Sequence, residues 1–205
     1  MFNFTEKPVS KSSVTRRELV YGLGVNDANY ITRRKIDGKQ VTCPFYSKWH
    51  NMMQRCYNPK LHARYPTYLG CSVTNEWLIF SNFKKWMEKQ DWTGMALDKD
   101  ILEQGNKVYS PEKCIFVTNQ INKLFIDRAR ARGAHKIGAH WDKIVKKFRA
   151  QCRVNGKRKF LGYFSTENEA HEAYKAFKYQ LIRDTALAQK EPLKSALLNY
   201  VIQEY

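Results

Sequence analysis

Two adjacent residues, Asn155 and Gly156, restrict the folds open to this 205-residue chain more than any other feature. They separate two runs that alternate in polarity, Phe148 to Val154 and Lys157 to Tyr163. Asn-Gly between alternating runs is the strongest short signal for a β-hairpin, because a tight two-residue turn needs positive φ angles. The sequence therefore predicts an antiparallel pair of strands here.

The residues on either side of this hairpin extend it into a small domain. Ile137 to Trp141 reads as a preceding strand, and Asp142-Lys143 as a turn. The run Thr166-Glu167-Asn168-Glu169 fits a capping box at the start of a helix. We therefore expect residues 137–186 to form a three-stranded antiparallel sheet packed on one helix.

Alternation along the hairpin assigns the two faces of that sheet. Ala150 and Cys152 are small and apolar, so we expect them to face the helix. The side chains between and beside them then share the open face, where the third strand adds further polar and aromatic groups. The open-face residues predicted in this way are Arg149, Gln151 and Arg153, with Arg158, Lys159 and Phe160 on the third strand.

A second informative stretch runs from Leu97 to Phe125. It reads as a strand ending at Asp98, a loop rich in turn formers over 103–113, an apolar strand over 114–117, and a helix capped by Thr118. This order predicts a hairpin that delivers Asp98 to a helix carrying Asn122. Carboxylate and amide oxygens are ligands for hard cations.

Two further helices are predicted to scaffold this stretch. Trp49, Met52, Met53 and Cys56 recur at helical spacing over 46–57, where Asn58-Pro59 ends the helix. A second apolar stripe marks a helix over 75–90, formed by Trp77, Phe80, Phe83, Trp86 and Met87. Both stripes indicate a core rather than a cofactor site.

The charge of the chain indicates its partner. Thirty-six Lys and Arg residues against 19 Asp and Glu give a net charge of +17, which favours a polyanionic ligand. We expect a flexible basic arm over 1–18, a first domain over 19–126, a basic linker over 127–136 and a C-terminal helix within 187–205. The apolar stripe of that last helix must pack on its own chain or on a second copy.

Several classes of protein are not expected. No run is apolar enough to span a membrane, and the N-terminus has no signal-peptide pattern, so we expect a soluble, cytoplasmic protein. The five cysteines are widely spaced and include no Cys-x-x-Cys pair, which argues against disulfides and against a zinc site.

The stretch around Asp98 resembles the ββα-metal finger of His-Asn-His (HNH) nucleases, in the version found in bacteriophage homing endonucleases. Asp98 stands at the metal-binding Asp of that family, Asn122 at its helix Asn, and the run from Pro111 to Cys114 at its Pro-Glu-Asn-Leu segment. The departures are Lys99, at the position of the general-base His, and Lys113, at that of the Asn which orients it.

Residues 137–182 resemble the AP2 DNA-binding domain, which lays a three-stranded sheet in the major groove. The matching positions are Gly138, Trp141, Lys147, Phe148, Ala150, the run 161–164 and the Glu-Ala pairs of the helix. Transferred position by position, the resemblance implies that the DNA-contacting residues are His140, Lys147, Gln151, Arg153, Arg158, Phe160 and Tyr163.

The sequence thus predicts an α+β protein with a helical scaffold, an HNH-like finger and an AP2-like domain. The resemblance implies a phage-type hydrolase that nicks double-stranded DNA with Mg²⁺ held by Asp98 and Asn122. Lys99 is expected to hold the phosphate, or to act as the base if its pKa is strongly lowered, and Asp100 and His50 are alternative bases. The alternative is a catalytically inactive DNA-binding or regulatory protein. A third hypothesis, an inhibitor of a host protein, has no motif behind it.

Overall fold

The computed structural model describes residues 4–125 and 134–202. The chain divides into two compact units, residues 1–117 and 118–205. Each is built from helices and small sheets, so the prediction of a mixed α+β protein is confirmed. Within the described ranges, no helix has the length and apolar character needed to cross a membrane.

The first unit contains four helices and six short strands among its described residues. The helices are α1 (Lys11–Thr15), α2 (Pro44–Tyr57), α3 (Pro59–Arg64) and α4 (Phe80–Met87), with short 3-10 turns at Pro66–Tyr68 and Asn75–Leu78. The strands are β1 (Arg33–Ile36), β2 (Lys39–Thr42), β3 (Ser72–Val73), β4 (Ala96–Asp98), β5 (Val108–Tyr109) and β6 (Ile115–Val117).

The core of the first unit lies between α2 and α4. Both predicted stripes pack there, buried except for the partly buried Trp86, and the Trp49 indole N–H donates to the carbonyl oxygen of Trp77 over 2.7 Å. The helix predicted over 75–90 is shorter than expected: a 3-10 turn occupies 75–78, and the regular helix begins at Phe80. The interruption lies where Val25 bridges to Ile79, because Phe80 N–H then donates to the Val25 carbonyl rather than within the helix.

The basic N-terminal segment is folded over its described part. Val9 N–H donates to the Asn29 carbonyl and Ile31 N–H to the Lys7 carbonyl. The guanidinium of Arg17 donates to the carbonyl oxygens of Asn26, Ala28 and Tyr30 over 2.7–3.1 Å. Arg17 thereby satisfies carbonyl groups that no strand pairs, which explains why this segment is not a free arm.

The second unit contains the predicted sheet and helix. Its elements are α5 (Asn119–Leu124), β7 (Ala139–Asp142), β8 (Lys147–Val154), β9 (Lys157–Phe164), α6 (Glu167–Leu187) and α7 (Leu193–Leu198). The three strands form one antiparallel sheet in the order β7-β8-β9. Asn155 and Gly156 have φ angles of 50° and 81°, and Thr166 and Glu169 form the predicted capping box.

A β-bulge changes the register of β9. Ala150 pairs with Gly162, whereas the next residue of β8, Gln151, pairs with Phe160. Leu161 is therefore the extra residue, and it packs with Phe164 against the buried alanines between sheet and helix. Because the bulge reverses the alternation once, Phe160 and Tyr163 lie on the same face of the sheet.

The sheet contacts α6 most closely at Gly138, and this contact gives a test of the fold. Gly138 has a φ of 84°, and a Cβ atom there would lie 2.1 Å from Cγ of Tyr174. We expect Gly138→Ala to destabilise the protein by about 2–4 kcal/mol, since strain and overpacking add. Gly156→Ala is the matched control, because its φ is 81° but no atom lies within 4 Å. Equal losses in chemical denaturation would contradict the close contact.

The ends of the second unit differ from the predicted boundaries. Helix α6 extends to Leu187, and the C-terminal helix is confined to Leu193–Leu198, where Leu193 and Leu197 are buried within this unit. The predicted linker over 127–136 lies mostly outside the described residues. Helix α5, predicted to belong to the first domain, clusters with the second unit.

Candidate nucleic-acid interface and acidic loop

The end of β4 opens into a loop rich in acidic and polar side chains. Asp98 is the last residue of β4, and its Oδ1 accepts the backbone N–H groups of Asp100 and Ile101, both over 2.9 Å. These two bonds fix the carboxyl group at the start of the loop. The arrangement is a local turn in which a short acidic side chain replaces a missing backbone acceptor.

The carboxyl groups of Asp98 and Asp100 lie next to each other. Burial of Asp98, together with the charge of Asp100 and a side-chain hydrogen bond between them, raises the pKa of Asp98 to about 6. The two backbone N–H bonds oppose this shift without cancelling it. A carboxyl with such a pKa is held where negative charge is costly, so the site favours a proton or a cation.

Lys99 is bound within the loop instead of extending into solvent. Its side chain is 8% exposed, and its ammonium donates to Oδ2 of Asp100 over 2.9 Å and to the Asn106 carbonyl over 2.7 Å. The Asn106 amide returns a bond to the Lys99 carbonyl over 2.6 Å. These contacts make Lys99 close the loop over 99–106, and its predicted contact with a phosphate stays a prediction.

Replacing Lys99 tests this role. We expect Lys99→Met to lower the free energy of unfolding by about 1–3 kcal/mol, because it leaves the buried Asn106 carbonyl without its donor. The control is Lys113→Met in the same loop, whose partner Glu103 is exposed. That ion pair should contribute less than about 1 kcal/mol. Equal losses for the two variants in urea denaturation would contradict the assignment.

Arg55 on α2 belongs to the same region, although the sequence did not assign it a role in the site. Its Nη1 lies 3.4 Å from the Leu97 carbonyl and 3.5 Å from the Tyr109 hydroxyl, and its charge acts on Asp98. The guanidinium also lies over the ring of Tyr68, 5.7 Å from its centroid. The sequence signal that could have indicated a partly buried Arg55 is its position three residues after Met52, on the buried side of α2.

Two further candidates for this site are His50 and Asn122. His50 packs against the rings of Tyr21 and Tyr46, and burial with the charge of Arg33 lowers its pKa. No described contact joins it to Asp98. Asn122 lies one turn into α5, in the second unit, so its predicted pairing with Asp98 stays a prediction. Over residues 4–125 and 134–202, no three His, Cys, Asp or Glu side chains converge as a metal site.

The open face of the second unit's sheet carries the predicted DNA-contacting residues in four rows. Antiparallel partners lie on the same face, so the register places these side chains side by side. The rows are Asp142 and Lys147, then His140, Arg149 and Tyr163, then Gln151 and Phe160, then Arg153 and Arg158. Ala150 and Cys152 are buried on the other face, which confirms the predicted faces. Lys159 is the exception: it pairs with Cys152 and lies over the ring of Phe177 on α6.

Two exposed aromatic rings and one acid complete this face. Phe160 and Tyr163 are 54% and 40% exposed, and their ring centroids are 5.1 Å apart. Asp142 accepts the Tyr163 hydroxyl over 3.2 Å and two N–H groups of the β7–β8 loop. Its carboxylate is therefore occupied by hydrogen bonds within the protein.

Those cations have few partners within the described residues. Arg153 and Arg158 are exposed, and their side chains form no described hydrogen bond or ion pair. Arg149 lies 4.0 Å from Asp142, and its Nε has no acceptor in the described structure. Burial, with the charges of Arg149 and Arg158, lowers the pKa of His140, so a neutral imidazole stands among the arginines. Such a face can bind phosphates and base edges.

Comparison of the chain with protein-family models, with curated proteins and with solved structures found no match.

Proposed function

We propose that this protein binds double-stranded DNA through the open face of the sheet β7-β8-β9, in the manner of an AP2 domain, and cleaves one strand with an HNH-like site at Asp98. The observation that carries the binding half is the set of side chains on that face. Four cationic residues, Lys147, Arg149, Arg153 and Arg158, share this face with one carboxylate, that of Asp142, which is already hydrogen-bonded.

The shape of the face supports a major-groove partner. A two-stranded ribbon fits the major groove of B-form DNA, and the β8–β9 hairpin is such a ribbon. Arginines near its tip can donate to guanine edges or to phosphates, and Gln151 can pair with adenine. Phe160 offers an apolar surface for a thymine methyl group. The net charge of +17 adds a sequence-independent attraction.

The donor set at Asp98 fits a divalent cation. The Asp98 carboxyl group provides hard oxygen ligands, and its raised pKa reflects negative charge that a cation would neutralise. Asp98 would hold the ion, with Asn122 as the second ligand by resemblance. When bound, Mg²⁺ supplies Lewis-acid stabilisation of the charge that develops on the phosphate.

The chain's own residues have distinct roles in this proposal. Asp100 has a side chain that is 48% exposed, so it can accept a proton from an attacking water. Lys99 positions Asp100 through their 2.9 Å contact. Arg55 fixes the end of β4 through the Leu97 carbonyl, which orients Asp98.

One observation favours a second function, DNA binding without cleavage. Lys99 stands where the nucleases it resembles have their general-base His, and its ammonium is bound within the loop. In this alternative the loop is a structural remnant and the sheet acts alone.

A plasmid-nicking assay decides between the two. Supercoiled DNA is incubated with the full-length protein and Mg²⁺, Mn²⁺ or EDTA, and duplex binding is measured in the same buffers. Conversion to open circles that EDTA abolishes supports the nuclease. Tight, salt-dependent binding with no nicking in either metal supports the binding protein. Absence of binding contradicts both.

A further inference from the structure

The second unit has a half-open cavity beside its sheet, and part of its lining is shared with the proposed DNA-binding face, through His140, Gln151, Arg153 and Arg158. Its volume is about 650 Å³, which is in the range of small-molecule sites. The backbone N–H of Gln151 on β8 donates to the carbonyl oxygen of Gly138, just before β7. The cavity lies along the part of β8 that follows Gln151. Tyr174 and Lys178 of α6 line the same cavity.

Lys178 is the unexpected residue in this lining. The residue is 7% exposed, and its side chain takes part in none of the hydrogen bonds and ion pairs found among residues 4–125 and 134–202. Buried ammonium groups are normally paired, because removing the charge from water is costly. Burial lowers the pKa of Lys178, and its nearest titratable neighbour is the buried thiol of Cys152. An apolar side chain would suit this position on α6 better.

The other charged residues that line the cavity are also cationic. Lys123, Arg153 and Arg158 contribute side chains, and none of the described lining residues is Asp or Glu. His140 adds a ring that can donate a hydrogen bond, and Asn155 adds an amide. Cations that converge without a counter-charge, one of them more than nine-tenths buried, form a site for an anion.

We propose that this cavity binds a phosphate group, with Lys178 as its buried counter-charge. The volume admits a nucleotide, and the shared arginines connect the cavity to the open face of the sheet. The phosphate is therefore either that of a free nucleotide or one belonging to bound DNA. The cavity site does not depend on the cleavage proposed at Asp98.

The first test uses the full-length protein in a phosphate-free Tris buffer. Binding of inorganic phosphate and of AMP is measured by calorimetry, with adenosine as the uncharged control. We expect Lys178→Met to weaken the binding of both anions at least about tenfold, since a charge-assisted bond is lost. Lys175→Met is the matched control, because Lys175 lies on the same helix and pairs with Glu172 over 3.2 Å. Equal binding of adenosine and AMP, or unchanged binding by Lys178→Met, overturns the proposal.

Stability without ligand supplies a second readout. Lys178→Met should melt at the same or a higher temperature than the wild type, because it removes an unpaired buried charge. A lower melting temperature would show that the ammonium has an internal partner, and it would overturn the proposal.

Duplex DNA distinguishes the two sources of phosphate. If the cavity takes a DNA phosphate, Lys178→Met should reduce the slope of log affinity against log salt by about 0.9. An unchanged slope with lost AMP binding assigns the cavity to a free nucleotide.

Discussion

Asp98→Asn is expected to reduce DNA nicking by a factor on the order of 10²–10⁴, the range seen when a group that acts on the transition state is lost. Duplex affinity should change little, because Asp98 lies outside the cationic face of the sheet. Asparagine keeps the oxygen that accepts the N–H groups of Asp100 and Ile101, so the loop should keep its shape. Nicking that persists in the variant at the wild-type rate would rule out this site.

The same variant should be more stable than the wild type at neutral pH. Asp98 has a pKa of about 6 in the folded protein against an ordinary value of 3.8. The folded state therefore binds more protons between these values, and wild-type stability should fall by about 3 kcal/mol as the pH rises from below 4 to above 6. The amide side chain of the variant carries no proton to lose, so this part of the fall should disappear. Denaturation at pH 4 and pH 7.5 tests it.

Magnesium should reverse that loss. A cation that binds only the folded site raises the melting temperature at pH 7.5, and Asp98→Asn should lose the effect. Equal pH dependence of wild type and variant would show that Asp98 ionises freely and that no cation site is built there.

The second large effect is expected on DNA binding. Replacing both Arg153 and Arg158 with alanine should weaken duplex affinity about 10²–10⁴-fold, since each lost base or phosphate contact costs about 1–3 kcal/mol. The slope of log affinity against log salt should fall by about 0.9 for each phosphate contact removed. Neither side chain has a described partner within the protein, so the melting temperature should stay unchanged.

The control for this pair lies on the same strand. Lys157 and Lys159 flank Arg158 but point to the helix side of the sheet, where Lys159 lies over Phe177. Replacing both with alanine removes the same charge from the opposite face. If the two double variants bind DNA equally weakly, the affinity depends only on the net charge of the protein. That result would show that the open face is not the binding surface.

The second unit was largely predictable because its signals are local. A turn that needs positive φ angles is encoded by Asn155 and Gly156, and a capping box by Thr166 and Glu169. The faces follow from the small residues Ala150 and Cys152. The bulge at Leu161 was not predictable, because an extra residue in one strand shows only against the register of its partner.

The first unit was less predictable because its key contacts join residues that are distant in sequence, or bury residue types that are ordinarily exposed. A lysine is ordinarily exposed, and nothing local marks Lys99 as bound to the Asn106 carbonyl. Arg55 and Asp98 interact across more than forty residues of chain. The fold of residues 7–17 depends on Arg17 and three distant carbonyls. By contrast, the scaffold helices follow from apolar periodicity, although the 3-10 turn before Phe80 does not.

The bulge at Leu161 also divides β9 into two parts whose sequences are constrained by different contacts. On its side toward Phe164, β9 is constrained by the interior, where Leu161 and Phe164 fill the space beneath α6. On its side toward Gly156, the strand contributes Arg158 and Phe160 to the outer face, in a register fixed by the turn. Substitutions at positions 158 and 160 can therefore accumulate without repacking the interior. The hairpin tip is a segment on which new target preferences can evolve while the rest of the unit stays constant.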